Sequence, residues 1–129
     1  MKQSMWFVGV LWVVLGLSAC SSHDEHYYRL HPKALQSAMA GCPSHAVGAL
    51  SCDQLKTLAV RVNQLAMMLK HDQLGYGKKI IKLQEERDQL MKQMNDHPEQ
   101  VELKYAWVDS EQRLAEHLAV VKWLASPEG

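Results

Sequence analysis

No sign of charge dominates this 129-residue sequence, in which fourteen Lys and Arg side chains face fourteen Asp and Glu. The basic surplus that would mark it for nucleic acid or anionic lipid as a whole is missing. Cysteine is scarce, at three, and no second close Cys/His pair joins Cys42 and Cys52 to complete a structural zinc set. Long hydrophobic runs are absent too. The one uncharged apolar stretch, Trp6 to Gly16, has about 11 residues where a membrane span needs roughly 20. There is no Gly-x-Ser-x-Gly and no His-Glu-x-x-His, and Gly75 and Gly77 lack the Lys-Ser/Thr of a phosphate loop. A hydrolase needs a nucleophile, a base and an orienting group. Ser51 reads instead as a helix cap, and Glu85, Glu86 and Asp88 as a charged helix surface. These absences point away from an enzyme, leaving no catalytic residue to name, no cofactor, and neither nucleic acid nor a small-molecule substrate as expected partner.

What is present begins at the N-terminus. Lys2 precedes the short apolar run, and small residues follow it, which is the layout of a signal peptide. The run ends Leu17-Ser18-Ala19-Cys20, which resembles the lipobox of bacterial lipoproteins. The resemblance implies removal of residues 1–19 and a diacylglycerol on the Cys20 thiol, with an acylated amine. Two or three acyl chains, at about 0.8 kcal/mol per buried methylene, make such an anchor nearly permanent. Ser21 and Ser22 follow. In enterobacterial-type lipoproteins an Asp at that place favours the inner membrane, so its absence implies the outer membrane, facing the periplasm. An ordinary secretory signal with a chance cysteine, or an uncleaved anchor, is the alternative.

Cleavage before Cys20 would leave 110 residues carrying 13 basic and 14 acidic side chains. That is enough for one domain burying roughly two-thirds of its unfolded surface. Only Cys42 and Cys52 would remain unmodified. In an oxidising compartment that number suggests a disulfide, for which a ring of about 11 residues gives roughly 2.8 kcal/mol in the chain-entropy account. Two reduced thiols on a metal are the other reading.

The pattern along the chain is helical, with no convincing strand and no repeat. Residues 20–26, the lipid-bearing cysteine followed by polar side chains, read as a flexible spacer, and residues 27–125 as the helical domain. Pro32 suits the first turn of a short helix with Leu35, Ala38, Met39 and Cys42 at helical spacing, stopped by Gly41 and Pro43. Residues 43–50 read as loop. Ser51 and Gln54 form a capping-box pattern for a helix over 52–71, whose Leu55, Leu58, Val62, Leu65 and Leu69 make a narrow stripe for a partner helix. Leu74-Gly75-Tyr76-Gly77 reads as a turn. A third long element is expected over 78–95, with Ile80, Leu83, Leu90 and Met94 on one side, Arg87 breaking the stripe, and Lys82, Glu85, Glu86 and Lys92 solvated. A fourth is expected over 98–125, capped by Asp96 or His97 with Pro98 at its first position. Its apolar positions are Val101, Val108, Leu114, Ala115, Leu118, Val121 and Leu124, widened by Tyr105, Trp107 and Trp123. Residues 126–129 read as tail. Short links make neighbouring helices antiparallel, so the expected fold is all-α: a small antiparallel bundle, or an extended helical hairpin, with a short disulfide-stapled N-terminal helix.

Tyr27-Tyr28-Arg29-Leu30-His31-Pro32, then Leu35, Cys42 and Cys52, resembles a pattern in small entry-exclusion lipoproteins of conjugative plasmids. The likeness covers residues 27–52; beyond it Asp53-Gln54-Leu55 stands where that family usually has Asn-Ala. It implies a lipidated periplasmic protein that blocks a second conjugation apparatus, with Tyr27, Tyr28, His31 and Pro32 as candidate partner-docking residues. The expected role is therefore a membrane-anchored interaction component of the cell envelope, linked to a conjugation-like or type IV secretion system. A self-associating structural lipoprotein, hence a homo-oligomer, and a periplasmic metal-binding protein are the alternatives. For the last, His23, Asp24, Glu25, His26 and His31 are the densest set of ligand types, against their reading as spacer. Met67, Met68, Met91 and Met94 offer soft thioethers for copper(I), but read as core packing.

Overall fold

The computed structural model describes residues 23–42 and 50–126. Residues 1–22, with the expected signal peptide and Cys20, residues 43–49 of the expected loop, and the last three residues of the expected tail lie outside them. Among the described residues are five helices and no strand: α1 (Glu25–Leu30), α2 (Pro32–Ala40), α3 (Cys52–His71), α4 (Gln73–Asp96) and α5 (Val101–Ala125). The all-α expectation holds.

The first helix is a correction. Residues 23–26, expected to be spacer, already belong to the folded part, because the Asp24 carboxylate accepts the Tyr27 N–H at 2.8 Å and caps α1. Pro32 then disfavours a helical His31, so α1 stops and α2 starts with the proline in its first turn, as expected. Cys42 is bonded to Cys52, with Cα atoms 5.9 Å apart. The staple joins the end of α2 to the first residue of α3. The capping box is formed in full: Ser51 Oγ accepts the Gln54 N–H at 3.2 Å, and Gln54 Oε1 accepts the Ser51 N–H at 2.9 Å.

The turn expected at residues 74–77 is not there. The chain breaks at Asp72 instead, a single residue that closes α3 through its N–H to Met68 O and caps α4 by accepting the Gly75 N–H at 2.8 Å. A methyl group on Gly75 would collide with that carboxylate. Two glycines cost the helix about 1 kcal/mol each. The cap and the burial of Tyr76, which they flank, oppose that cost. The other boundary also shifts. Helix α5 begins at Val101, not Pro98, and His97 closes α4 by donating to Gln93 O at 2.8 Å. Packed helices lie 8–10 Å apart, and the reversal uses residues 97–100 to cover that gap.

Rising numbers on α4 meet falling numbers on α5, from Tyr76 with His117 to Arg87 with Glu111, so the two are antiparallel. Leu83, Ser110 and Leu114 are buried in this hairpin. Arg87, expected to interrupt the stripe, reaches Glu111 at 3.5 Å, and Glu86 accepts from Arg113 at 2.6 Å. The main core lies at the other end of α5, where Leu35, Leu55, Leu58, Val62 and Val120 pack with Tyr28 and Leu50. Since α4 touches only α3 and α5, most of the hairpin extends past that core. Compact bundle and extended hairpin are thus two ends of one molecule.

Several residues expected in the core are outside it. Met67, Met68 and Met91 are exposed, as are Val101, Val108, Leu118 and Val121; for Val101 and Val108 the reason is that α4 alone covers the hairpin half of α5. Leu65 sits at the core's edge, whereas Leu55 is wholly buried. Leu55→Ala should therefore cost about 2–5 kcal/mol and Leu65→Ala clearly less, measured by urea unfolding; equal costs would misplace the core boundary.

Candidate functional site

The most constrained polar group is Glu116, with 3% of its side chain exposed. It sits on the side of α5 that faces α1 and α3, and both helices send it an arginine. Arg29 Nη1 donates to Oε1 at 3.0 Å, and Arg61 Nε and Nη2 are both 2.7 Å from Oε2. Arg29 also pairs with Glu25 one turn earlier in α1. Burial alone would lower the Arg29 guanidinium; its bond to Glu25 and the charges of Glu116 and Glu25 more than reverse this, so it is held above its ordinary value. With both oxygens engaged, Glu116 is a clamp across three helices and is not placed for proton transfer.

Beside the clamp, Tyr76 donates its hydroxyl to His117 O at 3.1 Å. Burial pushes the phenol from 10.0 up to about 12, and the nearby Glu116 charge adds to the rise. His117 is itself buried, with Nδ1 2.7 Å from Arg113 O. Neither Glu116 nor His117 was among the residues singled out from sequence.

The four sequence-predicted docking residues divide. Tyr28 and Pro32 are buried and serve the fold, although Pro32 also reaches the wall of the groove beside His31. Tyr27 and His31 remain at the surface in a stack of three rings: His23 lies on Tyr27 with centroids 3.8 Å apart, and Tyr27 on His31 at 4.1 Å. His31 Nδ1 also lies 2.8 Å from Tyr27 O. Of the five expected ligand residues, His23 and His31 stack, Asp24 caps α1 and Glu25 pairs with Arg29. Among the described residues no three His, Cys, Asp or Glu side chains converge as a metal set.

His31 opens onto a groove of about 510 Å³ between the start of α2 and the end of α5. Its walls are mainly apolar, with Leu30 and Ala34 on one side and Ala119 and Trp123 on the other; Lys33 and Lys122 border it, and among the described residues no carboxylate lines it. At the far end of α5 a different surface stands open. Val101, Tyr105 and Val108 share one face by their spacing of four and three, and are 54%, 72% and 39% exposed. Only apolar spacing on α5 signalled this stripe, and it was read as core. No described helix is long and apolar enough to cross a membrane.

Glu116→Ala should destabilise the protein by the lower end of the roughly 3–5 kcal/mol lost when a buried pair is broken, since Arg29 and Arg61 keep some solvent. A second loss of that size on adding Arg61→Met would contradict a shared clamp, because coupled losses do not add. Tyr76 predicts a pH dependence. Its folded pKa lies above its unfolded one, so its contribution is complete below about pH 10 and is lost as pH rises toward 12. Tyr76→Phe should flatten that part of a stability-against-pH curve; an unchanged curve would mean another group titrates. No protein-family model, curated protein or solved structure matches the chain.

Proposed function

We propose that this protein is a non-enzymatic lipoprotein of the bacterial cell envelope. Cys20 tethers it to the outer membrane on the periplasmic side, and the α4–α5 hairpin binds another envelope protein of a conjugation-like or type IV secretion system. The observation that carries the binding role is the bare stripe Val101, Tyr105 and Val108. Spacings of three and four continue the same side of α5 through Gln112 to Glu116, Ala119 and Trp123. There α1, α2 and α3 cover it; on the hairpin the same side has no cover. Rigid elements carrying exposed aromatic and aliphatic side chains are suited to a protein interface, where Tyr is enriched. The tether rests on Leu17-Ser18-Ala19-Cys20 after a short apolar run, and the system on the likeness of residues 27–52 to entry-exclusion lipoproteins. A second copy of the chain is the alternative occupant, favoured by the same uncovered stripe.

Mass spectrometry of the protein taken from membranes should find residues 1–19 gone and Cys20 acylated, and Cys20→Ser should release it to the soluble fraction. An unmodified Cys20 would end the lipoprotein reading. A photo-crosslinker at Tyr105 in intact cells should trap a different envelope protein. A crosslink between two copies alone would select self-association, and none at all would remove the interface. Tyr105→Glu should abolish the crosslinked complex at a stability cost within about 0.5 kcal/mol, as for an exposed site.

A further inference from the structure

We propose that the groove between α2 and the end of α5 seats the protein on the bilayer, with Trp123 at the headgroup level and the hairpin pointing away. The inference rests on the Cys20 anchor proposed above and goes beyond it by assigning a membrane-facing surface. Chain length supplies the first argument. Cys20 is three residues from His23, and an extended chain covers at most about 3.6 Å per residue, so the lipid-bearing residue lies within about 11 Å of His23. The His23 ring is stacked through Tyr27 onto His31 at successive centroid distances of 3.8 and 4.1 Å. His31 lines the groove. With about 3 Å more from the His23 backbone to its ring, the whole path from the acylated residue to the groove wall is at most about 22 Å. A protein held on so short a tether keeps this end against the lipid.

The chemistry of the surface is the second argument. An apolar trough with Trp123 and the exposed Lys122 on its rim, and with no carboxylate among the described residues that line it, suits an anionic headgroup layer above an apolar interior. Tryptophan is at home at that boundary, and the Lys122 stem can lie along apolar surface while its ammonium group meets phosphate. The exposed stripe on the hairpin is the competing candidate for membrane contact. It lies toward the opposite end of α5, with Val108 fifteen and Val101 twenty-two residues from Trp123, about 22 and 33 Å along the axis, and so farther from the tether than the groove.

Two indoles of the cleaved protein, Trp107 and Trp123, lie sixteen residues apart on α5, about 24 Å along its axis, and report the two ends separately. The lipidated protein is placed in vesicles of phosphatidylethanolamine and phosphatidylglycerol whose acyl chains carry bromine near the headgroup. Bromine quenches indole on contact. Trp107→Phe, which leaves Trp123 alone, should lose about half its emission or more, while Trp123→Phe, which leaves Trp107, should lose less than about a tenth, given that separation. Lys122→Glu, at an exposed site and in the protein with both indoles, should reduce the quenching of wild type. It keeps the test open if replacing Trp107 loosens the α4–α5 seam.

Mass spectrometry of the same vesicles decides which premise an adverse result touches. Acylated Cys20 with Trp123 unquenched, with both indoles quenched alike, or with quenching unchanged by Lys122→Glu overturns the proposed surface and leaves the anchor standing. Cys20 without lipid overturns the anchor, and the surface assignment falls with it.

Discussion

A carboxylate removed from water must be matched, and Glu116 is where this fold meets that demand. Dehydrating such a group costs several kcal/mol, and the compensation comes from guanidinium groups on two other helices. Helices α1, α3 and α5 are thereby fixed to one point. The dependence is sharpest for α1, whose six residues are far fewer than the roughly 12–15 that an isolated helix needs. It persists because Asp24 caps it, Tyr28 is buried beneath it and Arg29 is tied to Glu116. Arg61 immediately precedes Val62, so the register that buries the α3 stripe also delivers the second guanidinium. Pairing of this kind specifies position more than it adds net stability.

Much of the fold was legible because local chemistry and long-range packing agree in α2 and α3. Pro32, the Ser51 and Gln54 pair, and the stripe from Leu55 to Val62 each mean the same thing in isolation and in the fold. Where the two levels compete, sequence reasoning picked the wrong winner. Gly75 and Gly77 look like a turn until Tyr76 between them is seen buried against α5, and Pro98 looks like a helix start until the width of the reversal is counted. Met91, Val101 and Val108, all on the hairpin and exposed, failed for another reason. Apolar spacing shows that a face can be buried but not that a neighbour exists to bury it, and the hairpin has too few neighbours.

The candidate site was less legible. An aromatic pair before His-Pro stands out in a sequence, yet adjacent residues on a helix point about 100° apart, so Tyr28 turns inward while Tyr27 joins the ring stack. Glu116 and His117 were not singled out. Their signal was positional: His117 continues the buried register set by Ser110 and Leu114, and Glu116 lies one turn before Val120. A charge at a core register implies a partner of opposite sign, but nothing in a linear chain indicates that it lies 55 or 87 residues away.

Helix α5 runs unbroken for 25 residues from the groove to the far end of the hairpin. No proline or glycine interrupts it, and α4 is strapped alongside by Arg87 and Arg113. Its two ends therefore cannot be reoriented independently, and the separation between them is a matter of residue count, at about 1.5 Å per residue. The hairpin therefore has a set length: lengthening α4 and α5 together by two turns would carry the tip outward by about 11 Å and leave the stapled, arginine-clamped base as it is.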